Sequence, residues 1–259
     1  MQNLIITTIQ TDLYWEDSKK NLEHFEEKLN AITQITDIII LPEMFTTGFT
    51  MNPTQLSELH EGIGLQWMQK KAIEKKCVIV GSISVKDNNH YFNRLYWVKP
   101  DATYLYYDKR HLFSMAKENQ FYSAGNKELI IEHKGWKIKP LICYDLRFPV
   151  WSRNKKENSY DVLVYVANWP AVRSYAWKQL LIARAIENQA YVIGVNRIGV
   201  DGKSNSYSGD SGIIDGKGEW MSLTKANEDS TETTELSYAH LVEYRTSFPA
   251  ILDADNFTI

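Results

Sequence analysis

The sequence predicts an α/β fold built as a single layered domain. Two observations carry this reading. Strand-like runs and helical segments alternate from end to end, and no repeat, low-complexity tract or linker divides the 259 residues. A chain of that length can bury one large core, and interleaved strands and helices pack as layers around it. Hydrophobic content of 44% and charged content of 24% leave enough apolar surface to fill such a core. The expectation is one domain over residues 1–259, with a C-terminal tail from about residue 237.

The elements follow in order. "NLIITTIQ" (residues 3–10) is a strand rich in β-branched residues. "DSKKNLEHFEEKLNAIT" (17–33) sets Leu22, Phe25, Leu29 and Ile32 at helical spacing, with Ser18 as the expected N-cap. "TDIIILPE" (36–43) is apolar enough to be a strand covered on both faces. "GLQWMQKKAIEKK" (64–76) places Leu65, Met68 and Ala72 on one helical stripe. "CVIVGSISV", "YFNRLYWV" and "ATYLYY" supply three strands between residues 77 and 107, and "WKIKPLIC" (136–143) another. Pro149 suits the first turn of a short helix over 149–156. "DVLVYVAN" (161–168) and "AYVIGVNR" (190–197) are strands on either side of the helix "RSYAWKQLLIARAIENQ". That helix is read with Ala176, Leu180, Ala183 and Ala190 on its buried stripe. "SYSGDSGIID" (206–215) is a final strand, and the polar "TKANEDSTETTEL" (224–236) is expected to be an exposed loop.

Composition narrows the partners. A net charge of -3 without a basic stripe argues against nucleic acid. Two cysteines, Cys77 and Cys143, read as reduced thiols of a cytoplasmic protein. The N-terminal stretch lacks a basic leader and reads as a strand rather than a signal peptide. No run approaches the ~18 to 20 apolar residues of a membrane span. There is no C-x-x-C, no H-x-x-x-H, no G-x-G-x-x-G, no P-loop and no G-x-S-x-G, so neither a metal nor a cofactor is expected.

Three local patterns could carry chemistry, each just past a strand. Glu43 ends "IIILPE", where a carboxylate is costly to ionise unless it has partners; it could be a general base or one half of an ion pair at the sheet edge. Lys109 follows "YLYYD" in a loop that also holds His111 and Glu118. It could hold a developing oxyanion or could simply be solvated. Cys143 sits where "KPLIC" meets "YDLRFP". A strand-to-helix turn would lower its thiol pKa and supply amides for an oxyanion, whereas a buried structural thiol is the alternative. Asp145 and Arg147 could contact substrate, but are read in preference as a pair holding this turn, and Arg184 and Glu187 as a helical ion pair.

Taken in the order Glu, Lys, Cys, the segments "LPEMFTTGF", "YDKRHLF" and "CYDLRFP" resemble the three catalytic motifs of the nitrilase superfamily, the carbon-nitrogen hydrolases. The likeness runs through "ANWPAVRSYAWK" and "YSGDSGIID" and is greatest to the bacterial ω-amidase branch. It implies a four-layer α-β-β-α sandwich that assembles as a homodimer or larger oligomer, the C-terminal "EYRTSFPAILDADNF" packing near the partner. It implies that Cys143 attacks an amide carbon, that Glu43 moves the protons, and that Lys109 and the backbone N–H of Tyr144 hold the oxyanion. Glu118 takes the place of the family's second glutamate. The substrate would be a small ω-amide of a 2-oxo acid, and no cofactor is implied. Arg173 is the expected partner of the substrate carboxylate, with Tyr122 and Trp169 as candidate pocket walls. A nitrilase, a carbamoyl amidase and a catalytically silent binding protein are the alternatives on the same fold.

Overall fold

The computed structural model describes residues 2–255. Alternation inside the apolar strands decides the layering, because successive side chains leave a strand on opposite faces. Ile38 and Ile40 join one core while Ile39 between them joins another. Val78 and Val80 divide from Ile79 in the same way. A sheet apolar on both faces needs cover on both, and this chain supplies it twice.

The first sheet contains β1 (Leu4–Gln10), β2 (Ile38–Ile40), β3 (Glu58–Leu59), β4 (Val78–Asp87), β5 (His90–Val98) and β6 (Tyr104–Asp108). The second is built from β7 (Ile131–His133), β8 (Trp136–Ile142), β9 (Val162–Ala167) and β10 (Tyr191–Asn196). A separate hairpin, β11 (Ile198–Val200) with β12 (Ser206–Ser208), precedes β13 (Gly212–Ile214) and β14 (Trp220–Leu223), which complete the second sheet. The last strand, β15 (Ser230–Leu236), returns to the first, whose order is β15-β1-β2-β4-β5-β6 with β3 beside β4. The second sheet runs β14-β13-β10-β9-β8-β7. Strands β1, β2 and β4 are mutually parallel, as are β8, β9 and β10.

Helices α1 (Ser18–Ala31) and α3 (Ile63–Lys75), separated in sequence by the single turn α2 (Pro53–Leu56), cover the outer face of the first sheet. They contribute Phe25, Leu29, Leu65, Met68 and Ala72 to the core around Ile39 and Ile79. The two sheets meet through Ile38, Ile40, Val78, Trp97, Trp136 and Ile138. After the short α4 (Glu118–Phe121) and α5 (Pro149–Ser152), the long α6 (Ser174–Asn188) and α7 (Tyr238–Ser247) cover the second sheet with Trp177, Leu181, Ala185 and Leu241. The result is an α-β-β-α sandwich. Among the described residues no helix is long and apolar enough to cross a membrane.

Several expectations are corrected. Asp17, not Ser18, caps α1, its carboxylate accepting the Lys20 N–H. The stripe on α6 is turned by about one residue: Trp177, Leu181, Arg184, Ala185 and Asn188 are buried, because the bulk of Trp177 outweighs the small alanines. "SYSGDSGIID" is two strands in different sheets, broken at Gly209, whose φ of +75° takes the chain out of extended conformation. The expected loop 224–236 contains β15, which pairs with the whole of β1. Its "STETTEL" suits an edge strand, since threonine is β-branched and the glutamates are solvated. The helix expected over 149–156 stops at Ser152. The C-terminal region is integral: Leu241 of α7 is in the core and Arg245 donates to Gln189 O, Asp161 and Tyr160 O. Residues 256–257 of the quoted tail lie outside the described residues.

Candidate active site

The functional side chains gather where the chain leaves the carboxyl ends of strands, the usual crevice in sheets of this kind. Cys143 follows β8 directly and opens a 3-10 turn, Cys143–Arg147, rather than an α-helix. Its φ of +44° lies in the left-handed region, a conformation that costs a β-carbon residue on the order of 1–3 kcal/mol unless its surroundings impose it. Here they do. Both oxygens of the buried Asp145 carboxylate are engaged: one accepts from the Ile142 N–H at 3.0 Å and the Tyr107 hydroxyl at 2.8 Å, the other from the His111 N–H at 2.9 Å. His111 Nδ1 is 2.8 Å from that second oxygen, and its ring is stacked on Phe148. From the far side, Arg184 donates to Leu146 O at 2.6 Å while pairing with Glu187 at 2.9 Å. His111 is thus a packing residue of the loop, and Arg184–Glu187 is the helical pair that was expected.

Lys109 is fully buried with two fully buried carboxylates. Its Nζ donates to Glu43 Oε1 at 2.8 Å and to Glu118 Oε2 at 3.0 Å, and it lies 5.0 Å from the centre of the Phe49 ring. Asn93 of β5 donates to both carboxylates, at 2.7 Å to Glu43 and 3.3 Å to Glu118. Glu43 Oε2 accepts the Asn168 backbone N–H at 2.7 Å, and Glu118 Oε2 accepts the Phe113 N–H at 2.6 Å. Burial pulls the Lys109 ammonium down, but Glu118 and Glu43 outweigh it and hold it above the usual lysine value. Burial also pushes Glu118 up, against the pull of Lys109.

Cys143 sits beside this cluster and is 8% exposed. Burial pushes its thiol well up, the Glu43 charge and an S–H hydrogen bond to Glu43 add to that, and Lys109 opposes it. This reverses the expectation of a lowered thiol pKa. A five-residue 3-10 turn has no helix macrodipole to offer, and desolvation dominates. A thiol held protonated beside a buried carboxylate can become a nucleophile by passing its proton to that carboxylate as it attacks.

Above the thiol is a cavity of about 360 Å³. Phe49, Phe113, Tyr144, Trp169 and Tyr207 form aromatic walls, Arg147, Arg173 and Lys203 bring three cations, and among the described residues no carboxylate lines it. Arg173 and Trp169 both belong to this lining: Trp169 Nε1 donates to Arg173 O at 2.8 Å, and the Arg173 guanidinium lies over Phe113. Tyr122 is a correction. It is buried away from the cavity, its hydroxyl donating to Thr50 O at 3.0 Å and lying 2.9 Å from Ser84 Oγ. Arg147 is a second: its guanidinium rests over the Trp169 ring at 4.9 Å, so Asp145 holds the turn without it. Asn93, Asn168, Lys203 and Tyr207 were not foreseen. For the two asparagines a signal existed, since "YFNRLYW" and "VYVANW" each set an amide within or at the end of an otherwise buried strand.

An acid, an ammonium and a thiol buried together at the strand ends of an α-β-β-α sandwich define a class of cysteine hydrolases. The family model for carbon-nitrogen hydrolases matches residues 5–246, and the chain belongs to that family. It is 49% identical over 259 residues to Omega-amidase YafV of Escherichia coli (strain K12), covering 100% of both chains. It is 32% identical over 251 residues to the 2-oxoglutaramate amidase of Bacillus subtilis (strain 168), covering 96% of each. Among solved structures, XC1258 from Xanthomonas campestris, a CN-hydrolase superfamily protein with an arsenic adduct in its active site, superposes with a TM-score of 0.97. That protein is 41% identical, with 100% of both chains covered.

Proposed function

We propose that the protein is a cysteine-dependent amidase that hydrolyses the ω-amide of a small 2-oxo acid, of the 2-oxoglutaramate type, to the acid and ammonia. The observation that carries this reading is the cavity: its charged lining is cationic throughout, and its floor is the thiol beside Glu43 and Lys109. A small amide bearing a carboxylate satisfies both ends, its carboxylate meeting Arg173 or Arg147 while its amide carbon meets Cys143. The names of the relatives agree with that substrate class.

In the proposed reaction, the Cys143 sulfur bonds to the amide carbon as Glu43 takes the thiol proton. The carbonyl oxygen becomes an oxyanion between Lys109 Nζ and the Tyr144 backbone N–H; losing one such donor typically costs ~2.7 to 4 kcal/mol in the barrier. Glu43 returns the proton to the nitrogen as the C–N bond breaks, and ammonia leaves a thioester. Water, deprotonated by Glu43, then attacks the thioester; the C–S bond breaks and the thiol regains its proton. Glu118 orients Lys109 throughout, through its two contacts at 3.1 and 3.0 Å.

We also propose a cytoplasmic homodimer or higher oligomer. Val150, shortly after the cysteine turn, and Val172 and Tyr175, around the start of α6, are 54%, 83% and 75% exposed, and exposed apolar side chains of this size suit contact with a second copy. The test of function is ammonia release from 2-oxoglutaramate beside glutamine, asparagine, a nitrile and a ureido acid, for wild type and Cys143→Ala. Release from the oxo-amide that disappears in the variant supports the reading. Preference for the nitrile or ureido substrate replaces it with one of those activities, and release that survives loss of Cys143 refutes the mechanism.

A further inference from the structure

We infer that Asn168 is a specificity-determining residue, whose side-chain carbonyl receives an N–H of the scissile carboxamide and so selects a primary amide over the matching ester. The inference rests on the amidase reading and adds a residue to it.

Strand pairing sets the position. Ile142 of β8 lies opposite Val166 of β9, so Cys143, one residue beyond, and Asn168, two residues beyond, leave the same end of the sheet on neighbouring strands. Both line the cavity. The orientation of the Asn168 amide follows from its partner: Nδ2 donates to the backbone carbonyl of Glu43, a group that can only accept. The NH₂ end is thereby committed. That leaves Oδ1 as an acceptor, and it is buried with no hydrogen-bond partner. A buried acceptor left unpaired is costly, and sites that carry one usually receive a donor from elsewhere.

A bound carboxamide brings that donor. Its nitrogen must lie on the Glu43 side of the thiol, because Glu43 has to protonate it as it leaves. Asn168 is on that same side, its backbone N–H on Glu43 Oε2 and its side chain on Glu43 O. The Glu43 oxygens already have donors from Lys109, Asn93 and the Asn168 backbone. Two amide oxygens among these groups still lack a donor, Asn93 Oδ1 and Asn168 Oδ1, and of the two residues it is Asn168 that lines the cavity. An ester offers only a lone-pair oxygen at that place, so acceptor would face acceptor.

The experiment compares kcat/KM for 2-oxoglutaramate and for the 5-methyl ester of 2-oxoglutarate, which share one acyl-enzyme, so that the ratio reads acylation alone. Wild type should favour the amide, although free thiols attack esters more readily. In Asn168→Ala both constants fall, since the tie to Glu43 O is lost with the side chain. The amide should fall further, lowering the amide-to-ester ratio about tenfold or more. An unchanged ratio overturns the assignment. If that variant does not fold, wild type decides: a faster ester than amide, with both turned over, overturns the role of Asn168 and leaves the amidase reading intact. No turnover of the amide at all overturns both.

Discussion

The Asp145 carboxylate accepts the backbone N–H of Ile142 at 3.0 Å, and so ties down the residue immediately before the nucleophile. Three more donor groups, the Tyr107 hydroxyl and the N–H and Nδ1 of His111, converge on the same carboxylate. This convergence is what holds Cys143 at a positive φ with its sulfur at the cavity floor.

Replacing Asp145 by Asn should therefore be far from conservative. One side-chain oxygen would become an NH₂ facing groups that themselves donate. The expected cost is about 3 kcal/mol of stability, with a fall in kcat because the turn loses its brace. Urea denaturation should show a lower midpoint at an unchanged slope. A midpoint equal to wild type would mean that the turn is held by something else.

The raised thiol pKa of Cys143 makes a prediction about its reactivity. The thiolate is the species that alkylates, and a pKa above the ordinary value of ~8.5 means less thiolate at any given pH. Iodoacetamide labelling of Cys143, followed by mass spectrometry, should therefore be slow at neutral pH and still rising beyond the range where free thiols level off. Lys109 is the group that pulls this thiol down. Lys109→Met should push the rise to still higher pH. A rate that is already flat below pH 7 would show a preformed thiolate and a different division of labour with Glu43.

Much of this site was legible from sequence because three of its members sit one to three residues past a strand, where an apolar run stops abruptly. Glu43, Lys109 and Cys143 stood out for that reason, and the family motifs joined them. Glu118 was legible only through the motif, since its own surroundings are polar. Asn93 and Asn168 escaped because their roles depend on which strands are neighbours, and pairing across β5–β6 and β8–β9 is a long-range property. Tyr122 failed for the converse reason: an aromatic near a site can face into it or be spent on Thr50 and Ser84 behind it. In the fold, the β15 edge strand was masked by its charge, since edge strands and exposed loops share a polar composition.

The two guanidiniums at the cavity should separate by substrate. Each is held over an aromatic ring, Arg173 over Phe113 and Arg147 over Trp169, and each lines the cavity. Replacing the partner of the substrate carboxylate by Met should raise KM for a carboxylate-bearing amide about tenfold, the value of a charge-assisted hydrogen bond. The neutral amide lacking that carboxylate should be nearly unaffected. Steady-state kinetics on Arg147→Met and Arg173→Met with both amides identifies which arginine it is. Equal effects on charged and neutral amides in both variants would remove the carboxylate from the proposal.

Cys77 tests the core rather than the site. It is 1% exposed, between the end of α3 and the start of β4, and burial pushes its thiol up to about 12. Lys75 opposes that shift slightly and Asp37 adds to it. In the unfolded chain the same thiol ionises near 8.5. Below that pH both states hold the proton, and the benefit of burying a neutral thiol is complete. Above it the unfolded state releases its proton while the folded state keeps it, so stability falls with rising pH by ~1.4 kcal/mol per unit until about 12. Cys77→Ala lacks this dependence. Urea melts of wild type and variant at pH 7.5, 9.5 and 10.5 should thus show wild type more stable at pH 7.5 and the gap closing by roughly 2–3 kcal/mol at pH 10.5. Other buried groups titrate in that range, but they do so in both proteins and cancel from the difference. A gap that stays constant would mean that the Cys77 thiol titrates alike in the folded and unfolded chains, and is therefore not sealed beneath α3.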